Sequence, residues 1–329
     1  VTLIHPRSTR LFALGLVAVV LAGCSTAGAN SGSPDATPDV EAVVPIVDVA
    51  EPTLPVTITD AEGQEVTVTD TSRIVPITAG VSEIVFSLGF GDSVVGRDLA
   101  STFDQAKDLP VITQAHDISA EGVLSLKPTL VIGDASAGPP EALEQLRQAG
   151  VPVVLVPEAW SIDEIEPRIE AVAEAMGVED LGQRLVERTE LEIDEAKSQL
   201  EGSPTVAFLY VRGQASVYLI GGEGAGADSL IEAIGGTDAG TKAGLELFTP
   251  LTAESMVKGQ PDVILVMDKG LDSVGGVDGL LELPGIAQTP AGRDRRIISV
   301  EDGLLLSFGP RTGAVLQLLA QEVNGSGSR

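Results

Sequence analysis

After Arg73 the chain settles into short apolar runs separated by longer stretches in which apolar residues recur at helical spacing. Ile74–Ile77, Ser93–Val95, Val111–Ile112, Leu130–Ile132 and Val153–Val156 read as strands, and Ser82–Leu88, Ala120–Leu126 and Pro140–Ala149 as helices. Strands alternating with helices predict βαβ units and a parallel sheet covered on both faces. Ahead of them, Val56–Ile58 and Glu65–Val68 alternate around Asp60-Ala61-Glu62-Gly63, which predicts a hairpin. An acidic helical stretch runs from Ile162 through Glu201, with Ile165, Ile169, Val172 and Met176 on one face. Gly177 interrupts it, and Leu181–Leu200 continues as a helix ~30 Å long. Strands return at Thr205–Tyr210, Val217–Ile220, Val263–Met267 and Ile297–Val300, before a last helix at Thr312–Val323.

The two halves repeat each other. Ile118–Ile132 aligns without gaps to Leu251–Leu265: each has a Ser or Thr N-cap, an acid in the first helical turn, a proline ending the helix and then a buried strand. Upstream, Ser82–Asp92 echoes Leu230–Asp238. The pattern predicts an α/β protein of two similar lobes with mostly parallel sheets, joined by one long connecting helix, with a ligand cleft between the lobes. The boundaries fall at 54–178 for the first lobe, 179–201 for the helix and 202–323 for the second lobe. Residues 324–329, rich in Gly and Ser, read as a disordered tail.

The first 53 residues follow a different logic. Arg7 and Arg10 precede an apolar run, Leu11–Ala22, too short to span a bilayer, which takes ~20 residues. A basic head, a short apolar stretch and small residues before Cys24 describe a secretory signal over 1–23. Residues 24–53, rich in Ser, Ala, Gly, Pro and Asp, read as a flexible tether.

Composition narrows the function. The chain has 48 acidic and 20 basic residues, a formal charge of −28, and no basic run, which argues against nucleic acid. Its single cysteine allows no internal disulfide or thiolate zinc site, and two histidines are too few for a free zinc or manganese site. Removal of the signal leaves one histidine, His116. Ligands of open parallel sheets bind outside the carboxyl ends of the strands. Arg97, His116, Tyr210 with Arg212, and Met267 lie at or just past such ends, two positions from each half. A lone histidine in a polar loop is usually a surface residue, and methionine is usually core filler. One further motif, Gly222-Glu-Gly224-Ala-Gly226-Ala227, follows a strand and opens a helix in the manner of a dinucleotide fingerprint, with Glu246 about 20 residues on; no strand ends beside Glu246, so the motif reads as a turn.

Leu21-Ala22-Gly23-Cys24 resembles the lipobox of bacterial lipoproteins, and two repeated lobes on one helix resemble the helical-hinge substrate-binding proteins of ABC importers. More narrowly, Val94–Asp98 with Ser101-Thr102, Ile118–Leu130, Phe208–Gly213, Leu283–Pro290 and Ser307–Thr312 resemble the haem-binding lipoproteins of bacterial haem importers, a likeness covering about residues 55–323. The resemblance implies a non-enzymatic receptor, diacylated at Cys24. It would be exported and held on the outer face of the cytoplasmic membrane through the lipid alone. It would capture haem b between its lobes and deliver it to an ABC permease dimer with its ATPase, with cell-surface haem-binding proteins upstream. It further implies His116 and Tyr210 as axial iron ligands, Arg212 beside the Tyr210 phenol oxygen to favour tyrosinate, and Met267 as a porphyrin contact or alternative ligand. Arg97 and Arg311 would meet the propionates. Glu83 and Glu232, near the starts of matching helices, would dock the two permease subunits. Cobalamin or a ferric siderophore is the alternative cargo on the same fold, and a haem enzyme such as a peroxidase is the alternative of a different class.

Overall fold

The computed structural model describes residues 40–47, 49–114, 117–200 and 202–325. The expected hairpin forms from β1 (Val56–Thr59) and β2 (Glu65–Val68), with Thr57 opposite Thr67. There follow β3 (Ile74–Pro76), α1 (Ala79–Ser87), a small antiparallel pair β4 (Thr113–Gln114) and β5 (Asp117–Ile118), α2 (Ala120–Ser125), β6 (Leu130–Asp134), α3 (Pro140–Gln148) and β7 (Val153–Val156). The first sheet is parallel, in the order β3-β6-β7. Ser93–Val95 and Val111–Ile112 do not become strands. Val94 and Val111 make single bridges, to Ile74 and Arg97. Pro110, just before Val111, has no N–H with which to extend that ladder.

The acidic stretch forms α4 (Ile165–Ala175) and α5 (Glu179–Ala196). Gly177 separates them with φ +67, and its carbonyl accepts the Thr53 N–H. The helix stops four residues before Leu200, because Lys197 is extended and Ser198 is left-handed. Then come β8 (Thr205–Arg212), β9 (Val217–Gly221), α6 (Ala227–Ala233), β10 (Thr237–Asp238), α7 (Ala239–Lys242), β11 (Phe248–Pro250), α8 (Ala253–Gly259), β12 (Val263–Met267), α9 (Asp268–Ser273), α10 (Gly276–Leu281), α11 (Pro290–Asp294), β13 (Ile297–Val300) and α12 (Thr312–Gly325). The second sheet runs β11-β9-β8-β12-β13, with β10 also on β8. β8, β12 and β13 are parallel, whereas β9 returns antiparallel to β8 and β11 antiparallel to β9. The internal repeat is visible in the fold: the Ser119 hydroxyl accepts from Gly122 N at the start of α2, and the Thr252 hydroxyl from Ser255 N at the start of α8.

Alternation along the strands sorts their side chains into three cores. Ile74, Leu130, Ile132, Val154 and Val156 from the first sheet, and Val206, Phe208, Val263, Leu265 and Met267 from the second, enter one central cluster. The alternate residues Val75, Val131, Val153 and Leu155 face an outer core under α2 and α3. Ala207, Leu209, Val211, Ile264 and Val266 face the other outer core. The central cluster runs without a break through Leu185, Val186 and Ile193 of α5 and Val315, Leu316 and Leu319 of α12, so both sheets share it.

The segment expected to be a tether up to residue 53 is instead docked in its described part. Val43 is buried and exchanges two hydrogen bonds with the Gln105 amide. Val44 O accepts from Arg188 Nη1 at 2.8 Å on α5, Ile46 N donates to Ser87 O, and Val40 O accepts from Arg311. Val40, Val43, Ile46 and Val47 supply the apolar side that a free tether lacks. Among the described residues no helix is long and apolar enough to cross a membrane.

Candidate functional site: a cleft at the carboxyl ends of two sheets

The carboxyl ends of both sheets open on one cleft of about 550 Å³. Ile77 and Thr78 reach it past β3, Asp134 and Ser136 from β6, and Glu158, Ala159 and Trp160 past β7. Facing them are Tyr210 and Arg212 on β8, Met267 at the end of β12, Lys269 in the first turn of α9, and Asp302 past β13. Strand parity explains the second wall. Val206 and Phe208 point into the central core, and Tyr210 and Arg212 continue on the same side beyond its edge. Met267 follows Val263 and Leu265 in the same way.

Tyr210 is half-buried, its ring edge-on to Phe248 at 5.9 Å. The Arg212 guanidinium lies over the Tyr210 ring, 4.5 Å from its centre, a cation–π contact. Its N–H groups go to Val211 O at 2.9 Å and Asp302 Oδ1 at 2.8 Å, so Arg212 sits beside the phenol, as expected, but stacks on the ring instead of bonding its oxygen. Asp302 is the reason: its bond to Arg212 holds the guanidinium over the ring face.

The floor is a buried polar knot. Arg168 on α4, 4% exposed, donates to Asp134 Oδ2 at 3.2 Å, to Pro157 O at 3.2 Å and to Ser307 O at 3.0 Å. Thr78 and Ser136 also donate to Asp134. Burial pushes Arg168 below arginine's ordinary pKa, opposed chiefly by Asp134. The bond to Ser307 joins the wall built on the first sheet to the loop leading into α12. Asp98 closes one side; burial raises its carboxyl, against hydrogen bonds from Ser101 and Ala100.

Tyr210, Arg212 and Met267 are therefore brought together. His116 and Cys24 lie outside the described residues; Thr113, three positions before His116, lines the cleft. Four other expectations change. Arg97 does not line the cleft: its neighbour Asp98 does, and alternation turns Arg97 away to the carbonyls of Asp98 and Lys107. Arg311 is buried beneath the docked segment, 2.6 Å from Glu83 Oε1 and over the Phe103 ring. Glu83 is 0% exposed and cannot meet a partner; α1 is buried along nearly its whole length, and Arg311 neutralises the one acid in it. Glu83 sits at the middle of α1 and exposed Glu232 near the end of α6, so neither is at the start of its helix.

The repeat contains a better-matched exposed pair, Glu121 and Glu254, in the capped first turns of α2 and α8. Sequence reasoning also missed Arg168, Asp134, Lys269 and Asp302. Arg168 left a signal: a charge three residues past Ile165 and one before Ile169, on the apolar stripe of α4. The glycine motif is a turn, as read. Gly222 N donates to Leu247 O, Glu223 N to Leu245 O, Gly224 N to Asp228 and Ala225 N to Gly222 O, so the amides of its first four residues are already bonded within the protein.

Residues 74–303 match the family model described as periplasmic binding protein. The chain is 29% identical over 321 residues to YvrC, an ABC transporter substrate-binding lipoprotein of Bacillus subtilis, covering 94% of this chain and 95% of that one. The haem-binding protein HmuT superposes with a TM-score of 0.82 at 40% identity, over 87% of this chain and 95% of HmuT. The periplasmic haem-binding protein RhuT of Roseiflexus sp. RS-1 does so at 0.74 and 46% identity, over 78% of this chain and 99% of RhuT. HmuT has also been solved with a histidine, a tyrosine and an arginine each replaced by alanine, the last two being two positions apart.

Proposed function

This chain belongs to the periplasmic binding protein family, and on that premise we propose that it is a receptor that captures haem in its cleft and delivers it to an ABC permease. The observation that carries the reading is the Tyr210–Arg212 pair at the edge of an apolar cleft. It has the tyrosine–arginine spacing replaced in HmuT, and HmuT and RhuT are both haem-binding proteins by name. A phenolate is a good ligand for ferric iron, and the guanidinium over the Tyr210 ring fixes the side chain at the cleft edge. Tyr210 and His116 are the proposed iron ligands. Met267, 5% exposed at the end of β12, offers a polarisable flank for the porphyrin or an alternative ligand. The cargo is haem b, bound without covalent attachment. Cys24 would carry the lipid that holds the receptor at the membrane.

Haemin titrated into the protein, followed by its absorption spectrum, tests the ligand assignment. Wild type is expected to give a saturable six-coordinate spectrum that changes in both Tyr210→Phe and His116→Ala; unchanged spectra in both variants would overturn it.

For the permease, Glu121 and Glu254 replace the pair of Glu83 and Glu232. They occupy equivalent places in the two halves, and both are exposed to a partner made of two subunits. Glu254 is held below its ordinary pKa by Lys258, so it is charged at neutral pH.

A further inference from the structure

Among the described residues, three cations reach the cleft, and two of them are already neutralised. Arg168 is paired with Asp134, and Arg212 with Asp302. Lys269, in the first turn of α9 and two residues beyond Met267, has no described carboxylate oxygen within 4.0 Å of its ammonium group. Glu301, which feels the Lys269 charge, has its carboxylate occupied by Thr102 and by Gly303 N at 2.8 Å. Asp302 is equally committed: one oxygen takes Arg212, and the other accepts the backbone N–H of Lys269 at 2.9 Å. That carboxylate thus fixes where Lys269 leaves the backbone without consuming its charge.

The surroundings make an unpaired cation significant. Of the acids that line the same cleft, Asp134 and Asp302 are matched by those arginines, which leaves Asp98 and Glu158 without an ion pair among the described residues, in a chain of net charge −28. A ligand carboxylate entering there meets repulsion except where a cation is available. We propose that Lys269 is the carboxylate-binding group of the cleft, receiving a propionate-type carboxylate of the tetrapyrrole while the metal lies toward Tyr210. This rests on the haem reading above and takes over the role that Arg97 and Arg311, both turned away, do not fill. A lysine suits the task, since its flexible four-carbon stem lets a point charge follow a carboxylate whose orientation varies between the two propionates.

The test compares haemin with haemin dimethyl ester, which keeps the iron and the ring but has no carboxylates. Dissociation constants are measured by absorbance for wild type, Lys269→Gln and Lys269→Arg. Wild type is expected to bind haemin about 2- to 5-fold more tightly than the ester, the scale of one exposed ionic contact. Lys269→Gln should bring the two constants together by weakening haemin alone, and Lys269→Arg should restore the preference. A preference surviving in Lys269→Gln, or none in wild type, overturns the assignment while leaving haem binding intact. Failure of wild type to bind either compound overturns the haem reading itself.

Discussion

Glu83 and Arg311 hold full charges inside the molecule, and their value lies in being together. Removing one partner strands the other in a medium that solvates it poorly, which typically costs 3–5 kcal/mol. Glu83→Gln should therefore lower the urea unfolding free energy by about 3 kcal/mol, whereas an exposed docking glutamate would give almost no change. Gly80 makes a related prediction. A Cβ there would run into the Ser307 carbonyl and the Arg168 guanidinium, so Gly80→Ala should cost about 1–3 kcal/mol, measured in the same experiment. At this scale the sequence was half legible. Tyr210, Arg212 and Met267 were found because strand parity and strand ends are local properties. Arg97, Arg311 and Glu83 were misplaced because their partners, such as Arg311 for Glu83, lie far along the chain or depend on which way a single loop residue turns.

Elements were easier to read than their limits. Val153–Val156, Val263–Met267 and Ile297–Val300 form as predicted, since continuous β-branched and aliphatic runs have one good use in a buried parallel sheet. β11 was missed: Phe248-Thr-Pro250 is three residues long and contains a proline, tolerable there because the strand is at the edge of its sheet. The N-cap of α7 carries a prediction at this scale. The Asp238 side chain accepts from Thr241 N at 2.7 Å, and burial, aided by Asp228 and Glu232, pushes its pKa up to about 6. A carboxyl with a raised folded-state pKa favours the fold when protonated. Its contribution is fully present below the ordinary carboxyl value of 3.8 and is lost as pH rises through about 6. Asp238→Asn keeps an acceptor for the cap and removes the titration. Urea unfolding at pH 4 and pH 7.5 should show wild type losing on the order of 2–3 kcal/mol relative to this variant. Parallel pH profiles would refute the assignment.

At the scale of the whole molecule, the two-lobed α/β plan could be read from the repeat, because a capped helix, a proline and a buried strand recur at one fixed offset. What the repeat did not reveal is that the lobes share their largest core through α5 and α12, a property of packing that no local pattern encodes. An apolar junction of this kind limits relative motion. If Glu121 and Glu254 are the contacts to the permease, reversing both to lysine should abolish receptor-stimulated ATP hydrolysis by the reconstituted importer and leave the haemin dissociation constant unchanged. Stimulation equal to wild type would exclude them. The buried bond from Arg168 to Ser307 and the Glu83–Arg311 pair tie the two sides together beneath the cleft. In mechanical terms they are a fulcrum, and the walls above it are levers. A rotation of a few degrees that barely strains those bonds is multiplied along the walls into a much larger displacement at the rim, where the cargo is held. Unloading then demands little work at the pivot, and a cargo that ties both walls together stiffens the whole frame until something pulls on its outer ends.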